Sequence, residues 1–129
     1  MDNSEILLKL KALKKGNVYR TPDNALGKEF SIKEVTEECV VLDSSNNNAI
    51  YISIDAFTAA NTYLHENKHD INSPVPLGGS QGDEQGGELC KTTRALNKNV
   101  RCITYIVPIL AEFGAVAFTG TRPNSCWYI

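Results

Sequence analysis

Residues that can act as ligands or catalysts are scattered along this chain of 129 residues. His65 and His69 are four residues apart at the end of a predicted helix, and Glu66 lies beside them as a further potential metal ligand. Because no third ligand follows at a defined spacing, the pair indicates an exposed helix end, and no metal site is predicted. No nucleophile elbow or triad pattern accompanies the many Ser, Thr and Cys residues, and Glu37 and Glu38 are typical of a solvated hairpin turn. The sequence therefore predicts a non-enzymatic protein without a cofactor.

The cysteines and the apolar segments indicate the compartment. No CxxC pair occurs, and most of the cysteines lie in apolar stretches that suit buried, reduced thiols; they are Cys39, Cys90, Cys102 and Cys126. The N-terminal segment lacks the pattern of a signal peptide. The longest apolar stretch, 103–111, is about half the length of a membrane span. We expect a soluble cytoplasmic protein with no membrane association.

Charge is distributed unevenly along the chain. The whole sequence has 13 basic and 15 acidic residues and a formal charge of -2, which excludes a strongly basic protein. After residue 90, however, Glu112 is the only acidic side chain, and five basic side chains accompany it: Lys91, Arg94, Lys98, Arg101 and Arg122. This asymmetry predicts a basic C-terminal patch that suits a polyanionic partner. The alternative is a solvated surface that balances the acidic N-terminal part.

Residues 1–70 are predicted to form an N-terminal module of helix, small antiparallel sheet and second helix. Ser4 is placed as the cap of a helix with apolar residues at helical spacing. Alternating residues in 30–32 and 50–54 and the β-branched apolar run 39–42 predict strands. Asp55 is placed as the cap of the second helix. Residues 71–87, rich in Gly and Pro, are typical of a linker or mobile loop. No Lys-Ser/Thr directly follows any of those glycines, so a nucleotide P-loop is not expected.

Residues 88–129 show a different pattern. Two helical segments, 89–96 and 100–113, flank the polar turn 97–99, and Gly114 precedes a predicted hairpin of 116–118 and 124–129. The second segment has an apolar stripe at helical spacing, although Pro108 is unfavourable inside a helix. Its β-branched residues leave open a strand over 100–107, with Pro108 opening a short helix. We favour the helix because the stripe fits a period of 3.6 residues.

This order of helix, turn, helix, glycine and hairpin, with the sequence Leu-Ala-Glu-Phe-Gly-Ala-Val at 110–116, resembles a winged helix-turn-helix DNA-binding module. The predicted fold class is therefore α+β, with the N-terminal helix, sheet and second helix followed by a winged-helix-like module. The resemblance implies that the second helix enters a major groove and that the hairpin reaches the backbone or the minor groove. It predicts a double-stranded DNA partner for a small regulator or accessory subunit.

The resemblance also implies roles for individual residues. Side chains early on the second helix would contact base edges; these are Asn99, Arg101, Thr104 and Tyr105. Cations and hydroxyls around them would contact phosphates; these are Lys91, Thr92, Thr93, Arg94, Lys98 and, on the hairpin, Arg122. The N-terminal part would then dimerise or bind a partner, so a homo-oligomer is expected.

The same residues permit a second hypothesis, in which the chain binds a small anionic ligand such as a nucleotide or cyclic nucleotide. Arginines can hold phosphate bidentately while an aromatic ring stacks on a base. The pocket, in one protomer or at an oligomer interface, would be formed by Arg94, Arg122, Thr92, Thr93, Tyr105, Phe113 and Trp127. A third hypothesis is a protein-interaction module that forms a stable homo-oligomer. Stabilisation by a nucleotide but not by duplex DNA separates the second hypothesis from the first.

Overall fold

The first helix packs its apolar side chains into the core. The computed structural model describes residues 1–23, 27–77, 83–121 and 124–129. Helix α1 spans Asn3–Lys11 and buries Ile6 and Leu10. Its cap is Asp2, whose side chain accepts a hydrogen bond from the backbone N–H of Glu5 at 2.9 Å, so the predicted cap at Ser4 is wrong by two positions.

The predicted antiparallel meander is confirmed as a four-stranded sheet, sheet A. Its strands are β1 (Val18–Arg20), β2 (Glu29–Val35), β3 (Cys39–Ser44) and β4 (Ala49–Ser53), in the order β1-β2-β3-β4. Phe30 and Ile32 on β2 are buried, as their alternation with polar residues predicts. The strands of sheet A therefore follow one another as neighbours, and β1 and β4 form its edges.

Helix α2, Ile54–Glu66, begins directly after β4 and buries Phe57, Ala60 and Leu64 on one face. The capping position is Ser53, which makes no side-chain capping bond, and Asp55 lies inside the first turn. The predicted cap at Asp55 is therefore wrong, because the helix begins without a linker at the end of the strand. An acidic side chain in the first turn is still favourable for the helix dipole.

The stretch expected to be a linker contains regular structure. Strand β5, Val75–Pro76, pairs antiparallel with a C-terminal strand, and helix α3, Asp83–Ala95, begins within the predicted loop. The regular helical backbone of α3 is interrupted at Gly87, whose φ is 72°. Glycine adopts a positive φ without a steric penalty. Val75 and Leu77 are buried, so this part of the stretch belongs to the packed structure. Its glycines at 78, 79 and 82 lie outside the described residues.

The ambiguous C-terminal segment is helical. Helix α4 spans Ile103–Phe113, which confirms the helix over 103–113 and excludes the strand. Residues 100–102, expected at its start, precede the helix. Pro108 lies inside α4 and is buried, so tertiary packing compensates for the backbone hydrogen bond that proline cannot donate. Gly114 ends the helix with φ of 85°.

The predicted hairpin is confirmed as β6 (Val116–Phe118) and β7 (Ser125–Tyr128). Together with β5 it forms a second, antiparallel sheet, sheet B, in the order β5-β7-β6. The mixed α+β class is thus confirmed. Helix α4 is buried on most of its surface, with Ile103, Ile106 and Ile109 fully enclosed in a core that also includes residues of α1, sheet A, α2 and α3.

Candidate nucleic-acid interface

The turn between α3 and α4 is anchored to sheet A by a buried asparagine. Asn97 is 6% exposed, and its side-chain Oδ1 accepts a hydrogen bond from the backbone N–H of Ser53 at 2.7 Å. Its Nδ2 donates to the carbonyl of Val100 at 3.3 Å. One side chain therefore holds both the end of β4 and the path of the chain into α4. The sequence placed Asn97 only in a polar turn, because nothing in its immediate neighbours indicates the distant partner.

Arg94 supports the same turn from the last turn of α3. Its guanidinium donates to the backbone carbonyl of Asn99 at 3.3 and 3.1 Å and to Oδ1 of Asn99 at 3.0 Å. Lys98 and Asn99 both have positive φ, 54° and 62°, a conformation that is uncommon for residues other than glycine. These contacts hold the turn in one shape. Arg94 and Asn99, both predicted as ligand contacts, stabilise the turn itself.

The exposed surface of this turn is cationic. Lys98 and Asn99 are exposed at its tip, and Lys91 is exposed earlier in the chain, on α3. Lys91 lies 3.7 Å from a carboxylate oxygen of Glu88, and both side chains are well exposed to solvent, so the pair is weak. Between residues 88 and 101, Glu88 is the only acidic residue, against four basic ones. The turn therefore presents a fixed loop with positive charge.

The face of α4 that was expected to enter a major groove is partly covered. Tyr105 is half-buried and packs edge-to-face on Phe30 of sheet A, with ring centroids 5.1 Å apart. Further along α4, Glu112 accepts a hydrogen bond from the hydroxyl of Tyr19 on β1 at 3.0 Å. Thr104 is also half-buried. Sheet A thus packs on α4 at Tyr105, one of the predicted base-reading residues, and at Glu112.

Other predicted site residues lie apart from the turn surface. Thr93 is fully buried, and its hydroxyl donates to the carbonyls of Leu89 and Cys90, so it serves the packing of α3. Arg101 is half-buried and donates to the carbonyl of Leu77 at 3.5 Å. Arg122 lies outside the described residues. The predicted site residues exposed at the turn itself are thus Lys98 and Asn99, and Lys91 is exposed on α3.

Thr92 lies in a groove between α2 and α3. The groove has a volume of about 390 Å³ and is lined by Asp55, Thr58, Ala59, Thr62, Tyr63, Glu66, Thr92 and Leu96. Among the described residues, two carboxylates and no arginine line the groove, which disfavours an anionic ligand. Burial and the nearby carboxylate of Glu88 raise the pKa of Tyr63. A second pocket, of about 460 Å³ beside the start of α1, is also lined by carboxylates, those of Asp2 and Glu66.

The histidine pair makes aromatic contacts. The ring of His65 stacks on Tyr128 with centroids 4.1 Å apart, and burial lowers the pKa of His65. His69 stacks on Tyr63, and its Nδ1 lies 2.7 Å from the carbonyl oxygen of Ser73. Within the described ranges, no group of three or more His, Cys, Asp and Glu side chains is placed to hold a metal ion. The pair thus links the end of α2 to β7 and to the following loop.

The cysteines have the properties of core residues. Cys90, Cys102 and Cys126 are free thiols and buried, while Cys39 is half-buried. Burial raises the pKa of Cys102 to about 11 and that of Cys126 to about 12. A thiol with such a pKa remains protonated at neutral pH and is a poor nucleophile.

Comparisons of this chain with protein-family models, curated proteins and solved structures find no match. In the parts of the chain that the structure describes, every helix falls short of the length and apolar character needed to span a membrane. The case for a function therefore rests on the geometry of the chain itself.

Proposed function

We propose that this protein is a non-catalytic double-stranded DNA-binding protein that contacts the phosphate backbone through the turn between α3 and α4. The proposal places the protein in the cytoplasm, where buried thiols such as Cys102 and Cys126 stay reduced. It retains the DNA partner expected from the sequence and changes the mode of contact. Phosphate contacts at the exposed turn replace base contacts along α4.

One observation carries the proposal: an exposed cationic turn is held rigidly by buried and half-buried side chains. Side-chain hydrogen bonds of Asn97 and Arg94 hold the turn, and Lys98 is exposed at its tip. A lysine on an ordered turn loses less backbone conformational entropy on binding than one on a mobile loop. Phosphates accept such contacts from Lys side chains and from polar side chains such as Asn99.

The order of elements also supports the proposal. Helix α2, strand β5, helices α3 and α4, and the hairpin β6–β7 follow one another, and β5 completes the three-stranded sheet B. This order is that of a winged-helix module, and it extends the resemblance from residues 88–129 back to the start of α2. In such modules the second helix of the helix-turn-helix lies against the duplex with its N-terminal end. The exposed turn precedes the N-terminal end of α4, the corresponding helix.

The partly covered face of α4 favours phosphate contacts over sequence-specific recognition. Direct readout requires side chains that reach base edges in a groove, whereas Tyr105 is engaged with Phe30. We therefore expect similar affinities for duplexes of different sequence. Binding of this kind is dominated by counterion release and is strongly dependent on salt.

The test is fluorescence anisotropy with two unrelated labelled duplexes over about 50 to 200 mM salt. We expect binding that weakens steeply with salt and differs little between the duplexes. Lys98→Ala should lower the affinity about five- to tenfold near 0.1 M salt and reduce the slope of log K against log salt by about 1. The matched control is Lys14→Ala, an exposed lysine distant from the turn in sequence, which should leave both quantities unchanged.

Three results would contradict the proposal. The first is absent or salt-independent binding to both duplexes, and the second is an equal loss of affinity in Lys98→Ala and Lys14→Ala. The third comes from thermal-shift measurements: stabilisation by a mononucleotide without duplex binding would favour the small-anion hypothesis. Circular dichroism of each variant establishes that the fold is retained.

A further inference from the structure

The two sheets have edges of very different character. Strand β4 has five residues, Ala49-Ile50-Tyr51-Ile52-Ser53, without a charge or a proline. The other edge strands are shorter: β1 has three residues and carries Arg20, β5 has two and includes Pro76, and β6 has three. Proteins protect exposed sheet edges with short strands, charges or prolines, because an open edge can pair with another chain. Of the described edges, β4 is the longest, and its five residues carry neither a charge nor a proline.

The backbone groups of β4 that point away from sheet A can be identified from three hydrogen bonds. Ile54 donates from its backbone N–H to the carbonyl of Glu38, and Ser44 donates to the carbonyl of Asn48, so even-numbered residues of this strand face β3. The N–H of Ser53 donates instead to Asn97, outside the sheet. In an antiparallel pair, the N–H and C=O of one residue point to the same side. The polar backbone groups of Ala49 and Tyr51 therefore point outward.

Only part of β4 has outward backbone groups that are free to pair with another strand. Asn97 already occupies the N–H of Ser53, so the pairing surface is restricted to Ala49 and Tyr51. Both residues are exposed, and Tyr51 is 64% exposed. A partner strand centred on Ile50 would meet these two residues and leave the Ser53–Asn97 bond intact. The structure thus fixes a register for the partner.

We propose that β4 pairs antiparallel with β4 of a second copy of this chain, with Ala49 of one copy opposite Tyr51 of the other. A two-fold axis beside Ile50 makes this pairing self-complementary, because each outward N–H meets an outward carbonyl. The strand has no charge, and the adjoining loop, Ser45–Asn48, has none either, so the two copies do not repel each other at the contact. Sheet A and its counterpart then form one continuous sheet of eight strands.

This inference identifies the location of the homo-oligomer that the sequence predicts, and it is independent of DNA binding. The buried area is confined to one strand pair and the side chains beside it, among them Tyr51. Small contacts of this kind belong to the weak class of interfaces. The dimer should therefore dissociate on dilution, and its measurement requires a range of protein concentrations.

The experiment is sedimentation equilibrium of the DNA-free protein at concentrations up to about 1 mM. We expect a monomer–dimer equilibrium. Tyr51→Lys should raise the dissociation constant at least about tenfold, because it brings like charges together at the edge. Ala49→Pro should act in the same direction, because it removes an outward N–H without removing a bond to β3.

The matched control is Val18→Lys. Val18 lies on β1 at the opposite edge of sheet A and is 61% exposed, close to the exposure of Tyr51. This variant should dimerise like the unmodified chain. Circular dichroism verifies the fold of all variants, and the two β4 variants test the edge independently if one of them fails to fold.

Several outcomes overturn the inference: a monomer at every concentration, a dimer that persists in both β4 variants, or a dimer that is lost in Val18→Lys. Failure of this test leaves the DNA proposal intact, since that proposal depends on Lys98 and is measured by salt-dependent binding. Conversely, a dimer that forms at β4 in a chain without duplex affinity supports this inference and contradicts the DNA proposal.

Discussion

Asn97→Ala is the most informative single substitution for the stability of the turn. It removes the acceptor for the backbone N–H of Ser53, at 2.7 Å, and the donor to the carbonyl of Val100, at 3.3 Å. A net hydrogen bond contributes about 1 kcal/mol, and a buried group left without its partner costs about 1–3 kcal/mol. The shorter bond should account for most of the loss, so we expect a decrease of about 2–3 kcal/mol in the free energy of unfolding.

The measurement is urea denaturation, followed by the fluorescence of Trp127 and by circular dichroism. For a chain of this size, the expected loss lowers Tm by roughly 6–18 °C. Asn46→Ala is the matched control, because Asn46 is an exposed asparagine in the β3–β4 loop and should change stability by less than about 0.5 kcal/mol. If Asn97→Ala were as mild as this control, the anchoring of the turn to β4 would be refuted. The variant should also weaken duplex binding, because the turn that carries Lys98 loses its fixed shape.

Two further predictions follow from groups whose pKa is raised. Burial, together with the hydrogen bond to Glu112, raises the pKa of Tyr19 from 10.0 to about 12, so the native state favours the protonated phenol. The contribution of this pKa difference to the free energy of unfolding is present below pH 10 and is lost as the pH rises towards 12. Unfolding curves measured across this range should show a smaller loss of stability in Tyr19→Phe than in the unmodified chain. In alkylation at pH 8, half-buried Cys39 should react before Cys126, whose pKa is raised to about 12; mass spectrometry of timed samples checks this order, and equal rates would contradict it.

The local pattern of the sequence was sufficient for most elements of the fold. Alternating residues around Phe30 and Ile32 predict a strand because one face of a sheet is buried, and the structure has that strand. The 3.6-residue stripe of α4 likewise predicts a helix in spite of Pro108. These predictions succeed because hydrophobic periodicity is a property of neighbouring residues. Boundaries were less accurate, as at Asp2 and Asp55, because a cap depends on where the preceding chain comes from.

The contacts between distant segments required the tertiary structure. The sequence shows that β-branched and aromatic residues occur on α4 but not that sheet A covers the side with Tyr105. Likewise, Val75–Pro76 is too short for a periodic signal and becomes a strand only because β7 lies beside it. The anchor at Asn97 joins residues 44 positions apart. The sequence by itself determined most of the helices and strands and the basic C-terminal charge, whereas tertiary packing decided which of those charges remain exposed, since burial depends on residues far away in the chain.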